Sequence, residues 1–311
     1  MPSFSCSIEE QINTSLRLDR YVSEHLRLLS RSQIKVRCLK AKINGKDVKN
    51  SRLVRQGDNI DLLWDDAPPV DIIPENIPLD IIYEDEKQVV VNKIQGMVVH
   101  PGAGNRQGTL ANALYYRRLN MGKASSDNVR PGIVHRLDKE TSGIIIAAYD
   151  DDTHAFLAEQ FKVRKVVKTY IAVVCGTPKE IKGRIETFIA RDPKDRKRFT
   201  VSASGKNAVT FYKVIKSWKN YSLVMLRPKT GRTHQLRVHM RHIGNPILGD
   251  PLYGCVDKYF DNATLMLHSK KLEITLMGET EQSVFSSDMP NRINEVIDKL
   301  DKILKAGSVN A

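Results

Sequence analysis

Asp138 is the carboxylate whose surroundings point most clearly to chemistry. It stands in GIVHRLDKETSGIIIAA, residues 132 to 148, where one apolar run leads into His135, Arg136, Asp138, Lys139 and Glu140 and a second leads out. A chain that reads strand, polar turn, strand sets those side chains at the rim of a sheet, where a rigid scaffold carries a reactive loop. A carboxylate held there can serve as nucleophile or as base. Taken alone, an Asp beside an Arg is more often half of a surface ion pair. The order His-Arg-Leu-Asp is superficially that of a kinase catalytic loop, but no DFG follows and no glycine-rich loop with its lysine lies upstream. Kinase chemistry is therefore set aside.

Three further blocks carry reactive or cationic side chains. Gly102-Ala103-Gly104-Asn105-Arg106-Gln107-Gly108 has its last glycine one residue late for a dinucleotide loop and lacks the Lys-Ser/Thr pair of a phosphate loop, so it reads as a tight turn. Lys168-Thr169-Tyr170 opens an apolar strand, where a tyrosine is ordinarily core or sheet surface. From Leu226 to Arg241 five Lys/Arg meet no acid, and helical spacing after an N-cap at Thr233 puts Thr233, Arg237 and Arg241 on one face. The partners of those cations must come from elsewhere, and phosphate or Asp138 would serve. His234 and His239 in the same block are expected to be structural.

The elements that position these blocks fall into two domains. Over residues 12–66, Leu18, Tyr21, Val22, His25 or Leu26, and Leu29 recur at helical spacing, and Ser30-Arg31-Ser32-Gln33 supplies a capping box for a second helix. Asn44-Gly45 marks a hairpin turn between 42 and 48, and a strand follows over 60–64. Between Ser30 and Gln56 nine Lys/Arg, among them Arg31, Lys35, Arg37, Lys40 and Lys42, face a single acid, Asp47, which favours a surface that tracks phosphates. From Asp65 to Glu86 the balance reverses to eight acids and no base, with Pro68, Pro69, Pro74 and Pro78. Residues 67–77 are read as the linker and 78–304 as the second domain. Its strands are expected near 88–92, 97–100, 143–148, 169–174, 208–214 and 222–226, and its helices near 110–119, 153–163, 233–242 and 291–304. Strands outnumber helices without strict alternation, which implies an α+β fold on a mostly antiparallel mixed sheet.

Composition narrows the partners. Against 36 Asp+Glu the chain carries 49 Lys+Arg, a net charge of +13 over 311 residues, which raises the odds of a polyanionic partner, although basic proteins also bind membranes and the sign alone does not choose. The N-terminus lacks the basic start and apolar core of a signal peptide, and no run is long enough to span a bilayer, so a cytoplasmic protein is expected. Cys6, Cys38, Cys175 and Cys255 lie far apart with no CxxC, HxxxH or HExxH pattern, so neither zinc nor a disulfide framework is expected.

HRLDxxTSG, here 135–143, resembles the catalytic motif of RNA pseudouridine synthases of the RluA/RluD family. The VVHPGAGNxxGT, KxY, HQLR, PILGDPLYG (246–254) and LMLHSKKLEI (265–274) blocks extend the likeness, and residues 17–60 resemble an S4 RNA-binding domain. The resemblance implies a pseudouridine synthase fold preceded by a small S4-like α/β domain, acting on large-subunit ribosomal RNA, free or in an assembling particle, and without cofactor; a monomer is the default expectation, since the sequence gives no firm oligomeric state. It implies that Asp138 is the catalytic carboxylate, that Arg237 pairs with it and fixes its direction, and that Tyr170 lies against the target uracil. Arg136 would fill the gap left by the everted nucleotide, with Arg232 a further RNA contact. Transfer RNA as substrate, a non-catalytic ribosome-assembly factor, and a hydrolase using Glu140 as second carboxylate remain alternatives at this point.

Overall fold

Period-two alternation of apolar residues builds the N-terminal sheet. The computed structural model describes residues 1–9, 16–26, 28, 29, 31–66, 72–102, 104–121, 132–254 and 257–309; of 31, 32 and 306–309 it describes the backbone only. The chain divides into two units, Met1–Asp71 and Ile72–Ala311. In the first, strands β1 (Ser3–Ser7), β2 (Leu16–Arg17), β3 (Lys40–Ile43), β4 (Lys46–Val48), β5 (Leu53–Val54) and β6 (Asn59–Leu63) accompany helices α1 (Leu18–Arg20) and α2 (Arg31–Val36). A four-stranded antiparallel sheet runs β1-β6-β3-β4, and β2 pairs with β5. Ala41, Ile43, Ile60 and Leu62 point into a core with Leu18, Tyr21, Val22 and Trp64, while Lys40 and Lys42 point out. Asn44 and Gly45 both take positive φ, which suits the two-residue hairpin turn between β3 and β4.

Two details of this unit depart from the sequence reading. The sheet takes in β1, which lies ahead of residue 12; its Ser-Phe-Ser-Cys-Ser alternation sets Phe4 opposite Leu62 and Cys6 opposite Ile60. The first helix is also not one regular α-helix. After α1 the segment Tyr21–His25 winds as a π-helix, with the Leu26 N–H bonded to the Tyr21 carbonyl at 3.0 Å, and this wider turn still buries Tyr21 and Val22. The capping box expected at Ser30, residues 67–71 of the linker, Ala103 and Cys255 lie outside the described residues.

The second unit holds β7 (Asp80–Glu84), β8 (Gln88–Lys93), α3 (Leu110–Asn120), β9 (Gly132–Ile133), β10 (Ser142–Ala148), α4 (Asp151–Lys162), β11 (Val167–Cys175), β12 (Lys182–Arg191), β13 (Phe199–Val201), β14 (Lys206–Ser217), β15 (Tyr221–Pro228), α5 (Gln235–His242), β16 (Leu267–Thr275), β17 (Gln282–Ser286) and α6 (Asn291–Val309). One mixed sheet runs β13-β12-β14-β15-β11-β16-β10-β8-β7, with β17 beside β16 and β9 beside β10. Among the described residues every pairing is antiparallel except β10 with β16. None of the described helices is long and apolar enough to cross a membrane.

Strand β10 is buried along its whole length because helices cover both of its faces. Ile145 and Ala147 join the core that α3, α5 and α6 close with Leu110, Met240 and Ile293, whereas Ile144 and Ile146 join a second core with Leu157 of α4. Burying one such isoleucine contributes roughly 1.5–3 kcal/mol. The expected strand at 97–100 is absent. The carbonyls of Val98 and Val99 instead accept the N–H groups of Leu110 and Ala111 at 2.9 and 3.0 Å, so this segment terminates the start of α3 rather than adding to a sheet.

The parallel contact between β10 and β16 spans only Ser142↔His268 and Gly143↔Ser269, four residues after Asp138. His268 is buried, with Nδ1 2.9 Å from the Ser142 hydroxyl and Nε2 3.0 Å from that of Ser287. Burial lowers its pKa to about 4, assisted by Arg292 and Lys270, so the ring is neutral. Arg292 of α6 donates to the Ser142 hydroxyl at 2.8 Å and to the Leu267 carbonyl at 3.2 Å. Gly143 has φ +111, and a Cβ there would collide with the backbone of Ser269. Gly143→Ala should therefore prise the two halves of the sheet apart at the base of the Asp138 loop. A destabilisation of at least about 2 kcal/mol in urea unfolding is expected from the strained backbone and the overlap together; wild-type stability would contradict this account of the junction.

Candidate active site

Asp138 sits on a loop between β9 and β10 that is fastened from beneath by the turn after β8. Lys93, only 1% exposed, spends its three donors on the carbonyls of Ile94, Met97 and Lys139, at 2.9, 2.8 and 3.3 Å. Gly96 N–H also donates to the Lys139 carbonyl at 2.9 Å, and the Gln95 amide donates to the Glu140 carbonyl at 2.9 Å. Burial brings the Lys93 pKa down to about 8, with the charges of Asp138 and Glu140 opposing the fall. The Thr141 N–H closes the loop on the Asp138 carbonyl at 3.0 Å. Lys93 and Gln95 were not anticipated from the sequence; a lysine ending an apolar strand, VVVNK, was the available signal.

Helix α5 brings the cation. The expected N-cap at Thr233 is not observed: His234 is the N-cap, it makes no side-chain capping bond, and its backbone is left-handed at φ 55, ψ 15. That conformation costs a non-glycine residue on the order of 1–3 kcal/mol and collects at functional sites. Arg237, 3% exposed, forms a two-pronged pair with Asp250, Nε to Oδ2 and Nη2 to Oδ1 both at 2.7 Å. Its remaining nitrogen, Nη1, lies 3.5 Å from Asp138 Oδ2. His234 Nε2 lies 3.9 Å from the same oxygen. Asp250 also takes the N–H groups of Leu252 and Tyr253 at 2.9 and 3.0 Å, so the PILGDPLYG loop is built around the carboxylate that holds Arg237. Arg241 donates to the Tyr253 carbonyl at 2.6 Å. The partners that the helix itself lacked are therefore largely in this loop.

Tyr170 reaches the same place from β11. The register with β16 slips at Thr169/Tyr170, so that Thr169 faces Lys271 while Tyr170 faces Ser269, and the irregularity re-aims the ring. The phenol is pushed up to about 12, chiefly by burial and further by the charge of Asp138, against a hydrogen bond from Ser269. It is protonated at neutral pH. His135 is half-buried at the same cavity but engaged with its neighbours: its ring stacks on Phe161 at 4.5 Å and Nε2 accepts the Ile146 N–H at 3.1 Å. Burial, then Lys168, lowers its pKa to about 3, which makes it a neutral brace. His239 is also structural, between the hydroxyls of Thr210 and Thr187 at 2.8 and 3.0 Å.

A cavity of ≈ 590 Å³ unites Asp138, Tyr170 and Arg237 with Arg136 and Arg232. Arg136 is exposed at its wall, and Arg232 is tied by Nε to the Asn207 carbonyl at 3.0 Å. Among the described residues that line it, Lys and Arg number seven, and Asp138 is the one carboxylate. Glu140 does not line it. Such a wall suits a polyanion, and one carboxylate within it suits attack on, or proton removal from, a group carried on that polyanion. Of the cations expected to bind RNA in the first unit, Lys35, Lys40 and Lys42 are exposed and Arg37 donates to the Asp65 carbonyl at 2.9 Å; the side chain of Arg31, on α2, lies outside the described residues.

Residues 87–242 match the family model described as RNA pseudouridylate synthase. The chain is 46% identical over 289 residues, 89% of its length and 87% of the relative's, to ribosomal large subunit pseudouridine synthase D of Borreliella burgdorferi. It is 41% identical over 265 residues to the protein of the same name from Zymomonas mobilis, covering 82% of this chain and 81% of that one. Among solved structures it resembles human RNA pseudouridylate synthase domain containing 4, with a TM-score of 0.59 and 26% identity over 71% of this chain and 93% of that one.

Asp250→Asn removes the countercharge of a guanidinium that has no solvent to turn to. A loss of about 3–5 kcal/mol in urea unfolding is expected, together with a fall in activity of the protein that remains folded. A variant as stable as the wild type would show that Asp250 is not what holds Arg237.

Proposed function

Because this chain belongs to the RNA pseudouridylate synthase family, enzymes that isomerise uridine to pseudouridine in RNA, we propose that Asp138 is its catalytic carboxylate and that its substrate is large-subunit ribosomal RNA. The observation that carries the first part is the cavity wall: a single carboxylate among seven cations, with a charged donor 3.5 Å from one of its oxygens. Two relatives named for the ribosomal large subunit support the second.

The reaction breaks the N1–C1′ bond, turns the uracil and rejoins it through C5, so the product is an isomer. Asp138 acts at the sugar, either by attack on C1′ or by taking a sugar proton on a glycal route. Arg237, pinned by Asp250, directs the carboxylate. Tyr170 stacks on the extruded base, which contributes about 1–3 kcal/mol. Its phenol, protonated at neutral pH, acts as a donor that orients the base rather than as the base that removes the C5 proton. Arg136 occupies the gap in the RNA stack, offsetting an unstacking cost of a few kcal/mol. Arg232 and the other cations of the wall hold the backbone. The first unit adds a second, S4-like foothold through Arg31, Lys35, Arg37, Lys40 and Lys42, which raises avidity. A monomer suffices, since these groups all come from one chain.

A glycosidic hydrolase would need a second carboxylate to activate water, and none lines the cavity among the described residues. RNA tritiated at C5 of its uracils distinguishes the readings, because C5–H becomes C5–C1′ only on isomerisation. Label in water is expected with the wild type; free uracil would indicate a hydrolase, and binding with neither product an assembly factor. Asp138→Asn should slow label release roughly a thousandfold or more with RNA affinity nearly unchanged; a matching loss of affinity would make Asp138 a binding residue. Replacing Lys35, Lys40 and Lys42 by Gln should flatten the dependence of log K on log salt by about 0.7–0.9 for each phosphate that is no longer neutralised. An unaltered slope would remove these lysines from the RNA surface.

A further inference from the structure

Two buried histidines of the second unit, His239 and His268, and the half-buried His234 differ in one respect. His239 and His268 each have both ring nitrogens against hydroxyl groups. His234 has one such partner, Tyr253, and turns its other nitrogen towards Asp138. We propose that His234 is a positioning residue for Asp138, presenting a neutral Nε2–H to carboxylate oxygen Oδ2 beside the charged donor of Arg237. This inference rests on the reading of Asp138 as the catalytic carboxylate.

The tautomer follows from counting protons. The Tyr253 hydroxyl oxygen accepts the Phe199 N–H at 2.7 Å and lies 2.8 Å from His234 Nδ1. A phenol has one proton to give, and among the described residues the only group that hydrogen-bonds to this oxygen besides the Phe199 N–H, itself a donor, is His234 Nδ1, so that proton points to Nδ1. The ring proton of His234 is thereby placed on Nε2, the nitrogen that faces Oδ2. Burial lowers the His234 pKa, and Arg237 and Arg136 push the same way against Asp138 and Asp250, so the ring is neutral at physiological pH. A neutral donor steadies the carboxylate without cancelling its charge, which an imidazolium would do.

The backbone gives independent support. Position 234 is the N-cap of α5, yet the side chain caps nothing, and the φ of +55 is one that Asn or Gly adopts more readily than His. Helix geometry alone does not require this residue here. The rings of Phe199 and Tyr253 hold the imidazole edge-on, at centroid distances of 5.5 and 5.6 Å. With Arg237 three residues along, both donors leave the same face of the first turn of α5. The 3.9 Å separation from Oδ2 is beyond hydrogen-bond length; such contacts in unliganded sites tighten when substrate fills the pocket.

The test compares His234→Asn, Tyr253→Phe and Asp138→Asn in single-turnover tritium release at saturating RNA, and reads the histidine tautomer of the wild type by long-range proton–nitrogen NMR. Asparagine suits the left-handed backbone, so H234N removes the ring without adding strain. H234N is expected to lower the rate at least about tenfold with RNA affinity within about threefold, and Y253F to lower it less. The NMR spectrum should show His234 protonated at Nε2, with that preference abolished in Y253F. A proton on Nδ1, or an H234N rate equal to that of the wild type while D138N is inactive, would overturn this inference alone. An active D138N would overturn the assignment of Asp138 beneath it. Should H234N fail to fold, the wild-type tautomer and the Y253F rate decide the matter.

Discussion

A guanidinium shut away from water must be neutralised where it stands, and Arg237 is neutralised by Asp250 rather than by Asp138. The two-pronged pair uses Nε and Nη2 at 2.7 Å each and leaves Nη1 aimed at Asp138 from 3.5 Å. Two carboxylates thus divide one cation. The sealed one takes the strong bonds, and the partly open one keeps its oxygens for a ligand. Had Asp138 been the sole counterion, its oxygens would have been tied up in that pair, and moving it would have stranded a buried charge.

The same division governs the loop that carries Asp138. Lys93, Gln95 and Gly96 hold its backbone from below through the Lys139 and Glu140 carbonyls, leaving the side chain of Asp138 to face the cavity. Immediately downstream, Ser142 and Gly143 form the one parallel step among the described strands, clasped by His268 and Arg292. Strands from the two halves of the sheet therefore meet beneath the carboxylate, with Tyr170 delivered from one side and Asp138 from the other. The cationic wall is the long-range counterpart of this arrangement. It attracts a phosphate chain over distances at which no single contact acts, and the packed loop then decides which atom meets the oxygen.

Much of this was legible in the sequence wherever a residue type had a local cause. The Asn44-Gly45 turn, the apolar run that became β10 and the helix expected near 110–119 follow from period and turn chemistry, and the α+β class from the ratio of strands to helices. HRLDxxTSG, KxY and HQLR marked the residues that the fold gathers around one cavity. What was not legible depended on contacts distant in sequence. Asp250 lies thirteen residues from Arg237 in a loop with no periodic signal. The bulge that aims Tyr170 exists only in the register of β11 against β16. The segment 97–100 has the composition of a strand, but its carbonyls are claimed by the start of α3. Thr233 carries the better capping side chain, whereas the chain places His234 at the cap in a conformation that no propensity favours. That last mismatch between local preference and observed backbone is the kind expected where function outweighs stability.

The central claim is spatial: one carboxylate oxygen meets the anomeric carbon of an everted nucleoside while an aromatic ring covers the base. The most direct measurement is a crystal structure of the Asp138→Asn protein bound to its uridine-containing substrate RNA. The expected result is C1′ of the target nucleoside within about 3–4 Å of the side chain at 138, as a near-attack arrangement requires, with the uracil on Tyr170. A target nucleoside lying elsewhere, with its C1′ out of reach of that side chain, would contradict the account.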